Sequence, residues 1–229
     1  MTSADAASGA LAANVDALAR RALALLDGSE RIRVVVGIAG SPGSGKTTLA
    51  IGLVERLNEL REGALAVHLP MDGYHLANAT LDRLGRHDRK GAIDTFDGWG
   101  YVALLRRLRD ETEHTVYAPS FDRTVDEGVA GEIAVPPSAR IVVTEGNYLL
   151  VDDGPWAQVV DLLDETWFCE TGPDERLRRL VDRHERHGRT PEEAEAWATS
   201  VDGTNALLIE ASAPRAVIRV SGVDASIVP

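Results

Sequence analysis

Gly40-Ser-Pro-Gly-Ser-Gly45-Lys46-Thr47 has the spacing G-x-x-x-x-G-K-[ST], and each position answers a chemical need. Glycines let successive backbone N–H groups converge on phosphate oxygens, and a helix starting there adds positive potential. Lys46 would reach the β- and γ-phosphates of a nucleoside triphosphate, and the Thr47 hydroxyl would ligate Mg²⁺. Gly40, Ser41, Pro42, Gly43, Ser44, Gly45, Lys46, Thr47 and the adjoining Thr48 are therefore the candidate phosphate cradle. Composition points to the same lysine. Of 24 basic residues 22 are Arg, leaving only Lys46 and Lys90, and Lys46 stands where lysine is demanded. No N-K-x-D run, the usual mark of guanine selectivity, is present, so ATP is the expected nucleotide.

The elements needed to hold such a loop are legible on both sides of it. Residues 31–38 (RIRVVVGI) form a β-branched run that reads as a buried strand, and residues 46–60 read as helix. Further strands are expected at 64–69, 141–144, 165–170 and 216–220, and helices at 101–109, 173–187 and 191–199. Leu11, Val15, Leu18, Ala22, Leu25 and Leu26 recur at helical spacing until Gly28 stops the pattern. Residues 1–9 are expected to fray. Strands alternating with helices imply an α/β fold, a mostly parallel sheet with helices on both faces. Without internal repeat or linker, residues 1–229 read as one domain, with an N-terminal helix in 1–30. Residues 71–98, rich in Gly, Asp, Arg and His, are too long for an inert connector. The strand at 141–144 ends in Glu145, a candidate metal-side carboxylate whose competing role is a plain strand-end acid.

Bulk properties narrow the partners. A formal net charge of −12 repels nucleic acid and anionic membrane, so neither is expected as a partner. The lone Cys169 cannot form an internal disulfide, which suits a reducing compartment. In its apolar run it reads as a core residue. No basic-then-apolar leader and no membrane-length apolar run is visible, so a cytoplasmic location is expected.

Beyond the loop, five motifs follow in order. They are Pro70-Met-Asp72-Gly-Tyr-His75, Asp94-Thr-Phe-Asp97, Phe121-Asp-Arg123, Glu145-Gly-Asn-Tyr148 and the Arg-rich stretch 176–189. With them the chain, from residue 34 to about 210, resembles the uridine kinase, phosphoribulokinase and bacterial pantothenate kinase group of P-loop kinases. The resemblance implies that Asp72 accepts the proton of the attacking hydroxyl and helps order Mg²⁺ with Thr47 and Glu145. It further implies a lid, residues 173–190, that closes over ATP and excludes water. Arg183 and Arg189 match its phosphate-side arginines, and Arg179 a substrate-side one. Lys46, Asp72 and Arg183 are thus the expected catalytic set.

On a helix, Arg176, Arg179, Arg183 and Arg186 would share one stripe beside the docking face of Leu177, Leu180 and Val181. His184 and His187 lack a third metal ligand and read as solvated or ion-paired. Residues 71–100 and 117–123 should hold the acceptor. Asp94 and Asp97 are candidates for hydroxyl contacts, and Arg123 for an anionic or carbonyl group. Tyr74, His75, Tyr117, Phe121 and Tyr148 are candidate walls, with core packing the competing role of each. Trp99, Trp156, Trp167 and Trp197 are assigned to packing, and Asn205 either lies near the adenine or caps a helix, the cap being favoured. Departures from uridine kinases in the Gly-Ala-Ile-Asp94-Thr-Phe-Asp97 run and at Phe121-Asp-Arg-Thr fall on ribose and base contacts. The expected function is ATP- and Mg²⁺-dependent phosphorylation of a hydroxyl on a nucleoside-, sugar- or pantothenate-like metabolite. The alternative is an ATP-binding regulatory module that transfers nothing. A homodimer is compatible with either.

Overall fold

The computed structural model describes residues 3–228. In its first half the elements are α1 (Ser3–Asp27), β1 (Val34–Ala39), α2 (Lys46–Leu60), β2 (Ala66–Pro70), α3 (Asn78–Leu84) and α4 (Gly98–Asp110). A hairpin follows, β3 (Val116–Asp122) and β4 (Glu127–Val135), then β5 (Ile141–Gly146) and β6 (Glu165–Glu170). The chain ends with α5 (Pro173–Arg186), α6 (Pro191–Trp197), α7 (Gly203–Ser212), β7 (Ile218–Ser221) and β8 (Ile227–Val228). The main sheet runs β2-β5-β1-β6-β7-β8, parallel throughout except for β8 at the edge.

β1 is buried along its whole length, as a central parallel strand covered on both faces must be. Its alternation divides the core. Val35 and Ala39 face a cluster with Leu69, Tyr101, Leu105 and Phe168. Val34, Val36 and Ile38 face Leu18, Ala22, Leu53, Leu57 and Trp167. The period-two geometry of one strand therefore packs α4 on one side and α1 with α2 on the other. Arg33, just ahead of β1, is buried and donates to the carbonyls of Leu108, Ala139 and Pro136 at 2.8, 2.8 and 3.0 Å. It thereby satisfies both the end of α4 and the turn leading into β5.

Two features differ from the sequence reading. α1 already runs from Ser3, so residues 3–9 are helical rather than frayed; four alanines at 4, 6, 7 and 10 favour this. Residues 1 and 2 lie outside the described part. The β3–β4 hairpin has no counterpart in the sequence pattern. Pro119 cannot donate to a ladder, and the register shifts between Ala118 and Ser120, so neither half reads as a regular strand. Among the described residues no helix is long and apolar enough to cross a membrane.

Candidate active site

The loop around Lys46, Asp72 and Glu145 come together at the carboxyl ends of β1, β2 and β5. The turn leaving β1 closes with Gly45 at φ 96°, immediately before the first residue of α2. A Cβ there would also lie 2.8 Å from the Gly222 carbonyl oxygen, so only glycine fits the turn. Ser44 N–H donates to the Ser41 carbonyl at 3.0 Å. β5 lies between β1 and β2, with Glu145 beside Ile38 on one side and Pro70 on the other. That register brings the Glu145 carboxylate to the start of α2, where the Thr47 hydroxyl donates to its Oε1 at 2.9 Å. Asp72 follows two residues after Pro70, in a 3-10 turn over Met71–Tyr74.

Thr47, Asp72 and Glu145 are hard oxygen donors, the type Mg²⁺ prefers, and a few protein oxygens suffice because phosphates and water complete its shell. The 2.9 Å between Thr47 Oγ1 and Glu145 Oε1 equals the spacing of adjacent ligands about 2.05 Å from an octahedral ion. The residues fit the ion. No denser cluster of His, Cys, Asp and Glu suited to a metal occurs among the described residues.

Thr47 and Asp72, though not the buried Glu145, border a cavity of about 700 Å³ that also takes in Pro42, Lys46, His75, Phe121, Arg123, Asn147, Arg183 and Arg189. Burial pushes the Asp72 carboxyl up, but the neighbouring His75 and the charges of Lys46, Arg123 and Arg183 outweigh it and hold the group below its ordinary value. Arg123 Nη2 is 3.4 Å from Asp72 Oδ2. Asp72 is thus an ionised oxygen facing cations, suited to draw on a hydroxyl. His75 is pushed down by burial, with the Asp72 charge opposing, and its ring is packed 4.0 Å from Phe96 and 4.7 Å from Phe121.

Several expected acceptor contacts are placed elsewhere. Asp97 caps α4, accepting from Gly100 N–H at 2.8 Å. Asp94 is paired with Arg89 at 2.6 Å and Arg86 at 3.5 Å. Tyr148 is buried, donating to the Gly91 carbonyl at 2.6 Å, and Tyr74 packs edge-on against Tyr101. Tyr117 is exposed on β3. In the loop, the Ser41 hydroxyl donates to Glu210 on α7 at 2.5 Å, and Thr48 faces solvent. Cys169 is buried, and burial raises its thiol to about 11.

The arginine stripe divides. Arg183 reaches the cavity, as does Arg189. Arg179 does not face the acceptor: its Nη1 lies 3.4 Å from the carbonyls of Gly43 and Ser44 and 3.1 Å from that of Gly222, on the outer side of the loop. Arg176 is 4.0 Å from Glu210, and Arg186 is exposed. One turn of helix is enough to carry 179 past the cavity edge, because the rise of about 6 Å between 179 and 183 separates them along the axis. His184 Nε2 pairs with Asp202 at 2.8 Å. Trp197 is not a packing residue; it lines the cavity and carries the Arg189 guanidinium 3.7 Å above its ring. Trp99 is exposed. Asn205 sits inside α7 rather than capping it and donates to Gly91 O at 3.3 Å.

Sequence reasoning missed Lys90, Asn147 and Asp126. Lys90 is held by Asn78 at 2.6 Å and Asp126 at 2.8 Å, 5.1 Å from the centre of the Phe121 ring. Its rarity in an Arg-using chain was the available signal. Asn147 lies two residues beyond Glu145, a spacing that repeats Pro70 to Asp72 on the neighbouring strand.

Residues 35–199 match the model of the "Phosphoribulokinase / Uridine kinase family". A Schizosaccharomyces pombe protein named "Putative uridine kinase" is 36% identical over 185 residues, covering 79% of this chain and 78% of its own length. A Leuconostoc citreum uridine kinase is 33% identical over 159 residues, covering 69% and 71%. Among solved structures, a "putative fructose transport system kinase" from Silicibacter sp. superposes with a TM-score of 0.80 at 37% identity, covering 87% of this chain and 95% of that one.

Proposed function

The chain belongs to the phosphoribulokinase and uridine kinase family, and on that premise we propose that it transfers the γ-phosphoryl group of ATP to a hydroxyl of a small metabolite. The observation carrying this reading is that Lys46, Thr47 (bonded to the buried Glu145) and the ionised Asp72 line one cavity. A binding module that only sensed nucleotide would need the first three and have no use for a base opposite them.

Asp72 takes the hydroxyl proton as the acceptor oxygen forms its bond to the γ-phosphorus, and the bond from that phosphorus to the β–γ bridging oxygen breaks, releasing ADP. Lys46 and Arg183 offset the negative charge on the transferring group. Thr47, Glu145 and Asp72 would hold Mg²⁺, which when bound neutralises phosphate charge. Arg189, fixed on Trp197, belongs to the lid that shields the nucleotide from water.

The test is ADP release from ATP and Mg²⁺ with nucleosides, pentoses, hexoses and pantothenate, using Lys46→Ala as control. Acceptor-dependent ADP that disappears in the control is the expected result. Tight ATP binding with no acceptor-dependent ADP from any compound would favour the regulatory module.

A further inference from the structure

The acceptor end of the cavity has a chemistry of its own. Pro70 and Glu145 are paired across parallel strands, so Asp72 and Asn147, each two residues further on, leave the sheet from adjacent positions about 5 Å apart. The two turns remain pressed together: a Cβ at Gly146 would fall 2.5 Å from the Met71 Cβ. Both residues line the cavity. Asn147 Oδ1 is buried without a hydrogen-bond partner, an arrangement that costs stability unless something completes it. Rotating the amide exchanges its oxygen and nitrogen, so its cavity edge can accept or donate.

His75 adds a second polar group on the cavity wall. Its Nδ1 lies 2.8 Å from the Asp72 carbonyl oxygen; a carbonyl only accepts, so the proton sits on Nδ1 and Nε2 is left as a bare acceptor. Phe121, which lines the same cavity, is not an open platform. The Lys90 ammonium and Arg123 guanidinium lie 5.1 and 6.0 Å from its centre, and His75 packs against it. A nucleobase would find no free face on which to stack. What the wall requires is a group that both donates and accepts, repeated at short intervals. Hydroxyls do that.

We propose that the acceptor is a compact, non-aromatic polyhydroxylated molecule of the sugar or polyol class, in which Asn147 and His75 hold the hydroxyls neighbouring the one delivered to Asp72. This deepens the kinase reading and rests on it. Asn147 is then a specificity-determining residue.

The experiment compares D-ribose, D-fructose and ribitol with uridine and pantothenate as acceptors. It then compares the best polyol with its monodeoxy analogues on the unmodified enzyme and on Asn147→Ala. Turnover is expected with a polyol, and one deoxy analogue should lose at least about tenfold in kcat/KM. Asn147→Ala should lose a similar factor on the full polyol, with KM for ATP within about twofold, and should no longer distinguish that analogue. The deoxy series needs no variant, so a misfolded Asn147→Ala would not remove the test. Turnover of uridine or pantothenate but of no polyol overturns this inference while leaving the kinase reading intact. Equal turnover of every deoxy analogue overturns it as well, as does an Asn147→Ala effect confined to KM for ATP. ADP release from no acceptor at all sinks both.

Discussion

The two ends of the cavity are built from different materials. At the phosphate end a ligand would meet backbone: the turn closed by Gly45, the start of α2, and two side chains whose positions follow from strand register. At the acceptor end it would meet side chains on short 3-10 turns and a hairpin, held by Lys90–Asp126, Arg123–Asp72 and aromatic contacts. Backbone geometry fixed by a sheet suits one invariant ligand, a triphosphate. Side chains clamped by ion pairs can be exchanged without rebuilding the fold, which is how one scaffold serves many acceptors.

This division can be broken at either end. The largest effect is expected from Gly45→Ala, which adds left-handed strain of about 1–2 kcal/mol and a clash of about 1–3 kcal/mol with the Gly222 carbonyl. Affinity for ATP, read by calorimetry, should fall by roughly a thousandfold, and retention within tenfold would show that the loop is adaptable. Asp72→Asn should lower kcat at least about a hundredfold while changing the Kd for ATP by less than about threefold; normal turnover would remove Asp72 from the chemistry. Lys90→Met should raise the acceptor KM about tenfold with the ATP KM unchanged, sharpening the separation of the two ends. An equal rise in both would dissolve it.

The smallest effect concerns the link between them. Asp72 titrates below its ordinary value, so its ionised form stabilises the folded state at neutral pH, and that contribution is lost as pH falls below 3.8 through the folded value. Arg123→Ala removes one of the charges holding it down and should move the Asp72 carboxyl carbon titration, followed by NMR, to higher pH. An unmoved midpoint would mean that Arg123 does not act on Asp72.

The same division governs what could be read without coordinates. Strand-loop-helix around Lys46 was legible because periodicity, glycine spacing and lysine chemistry all agree there; α2 and β6 have the bounds the pattern predicts. Glu145 was legible because a strand end is marked by its apolar run. The acceptor end was not. Asp94 and Asp97 look like hydroxyl contacts in sequence, yet one is spent on arginines and the other on a helix N-terminus. Nothing in residue type distinguishes a carboxylate used for structure from one left free. Arg179 was misplaced for a related reason. Helical spacing groups it with Arg183 on one face, but the rise of about 6 Å between them leaves only Arg183 at the cavity. Pro119 concealed the hairpin, and with it the segment that presses on Gly73, where a Cβ would be 2.2 Å from the Pro119 carbonyl oxygen.

The two lysines of the chain both border this one cavity. For reagents that acylate amines, the rest of the side-chain surface is therefore blank. Mild treatment with such a reagent should mark only Lys46, Lys90 and the N-terminal amine, and peptide mass mapping would read occupancy at each end separately. ATP should shield Lys46 and an acceptor Lys90, so a chain whose bases are almost all arginine carries its own two-channel footprint.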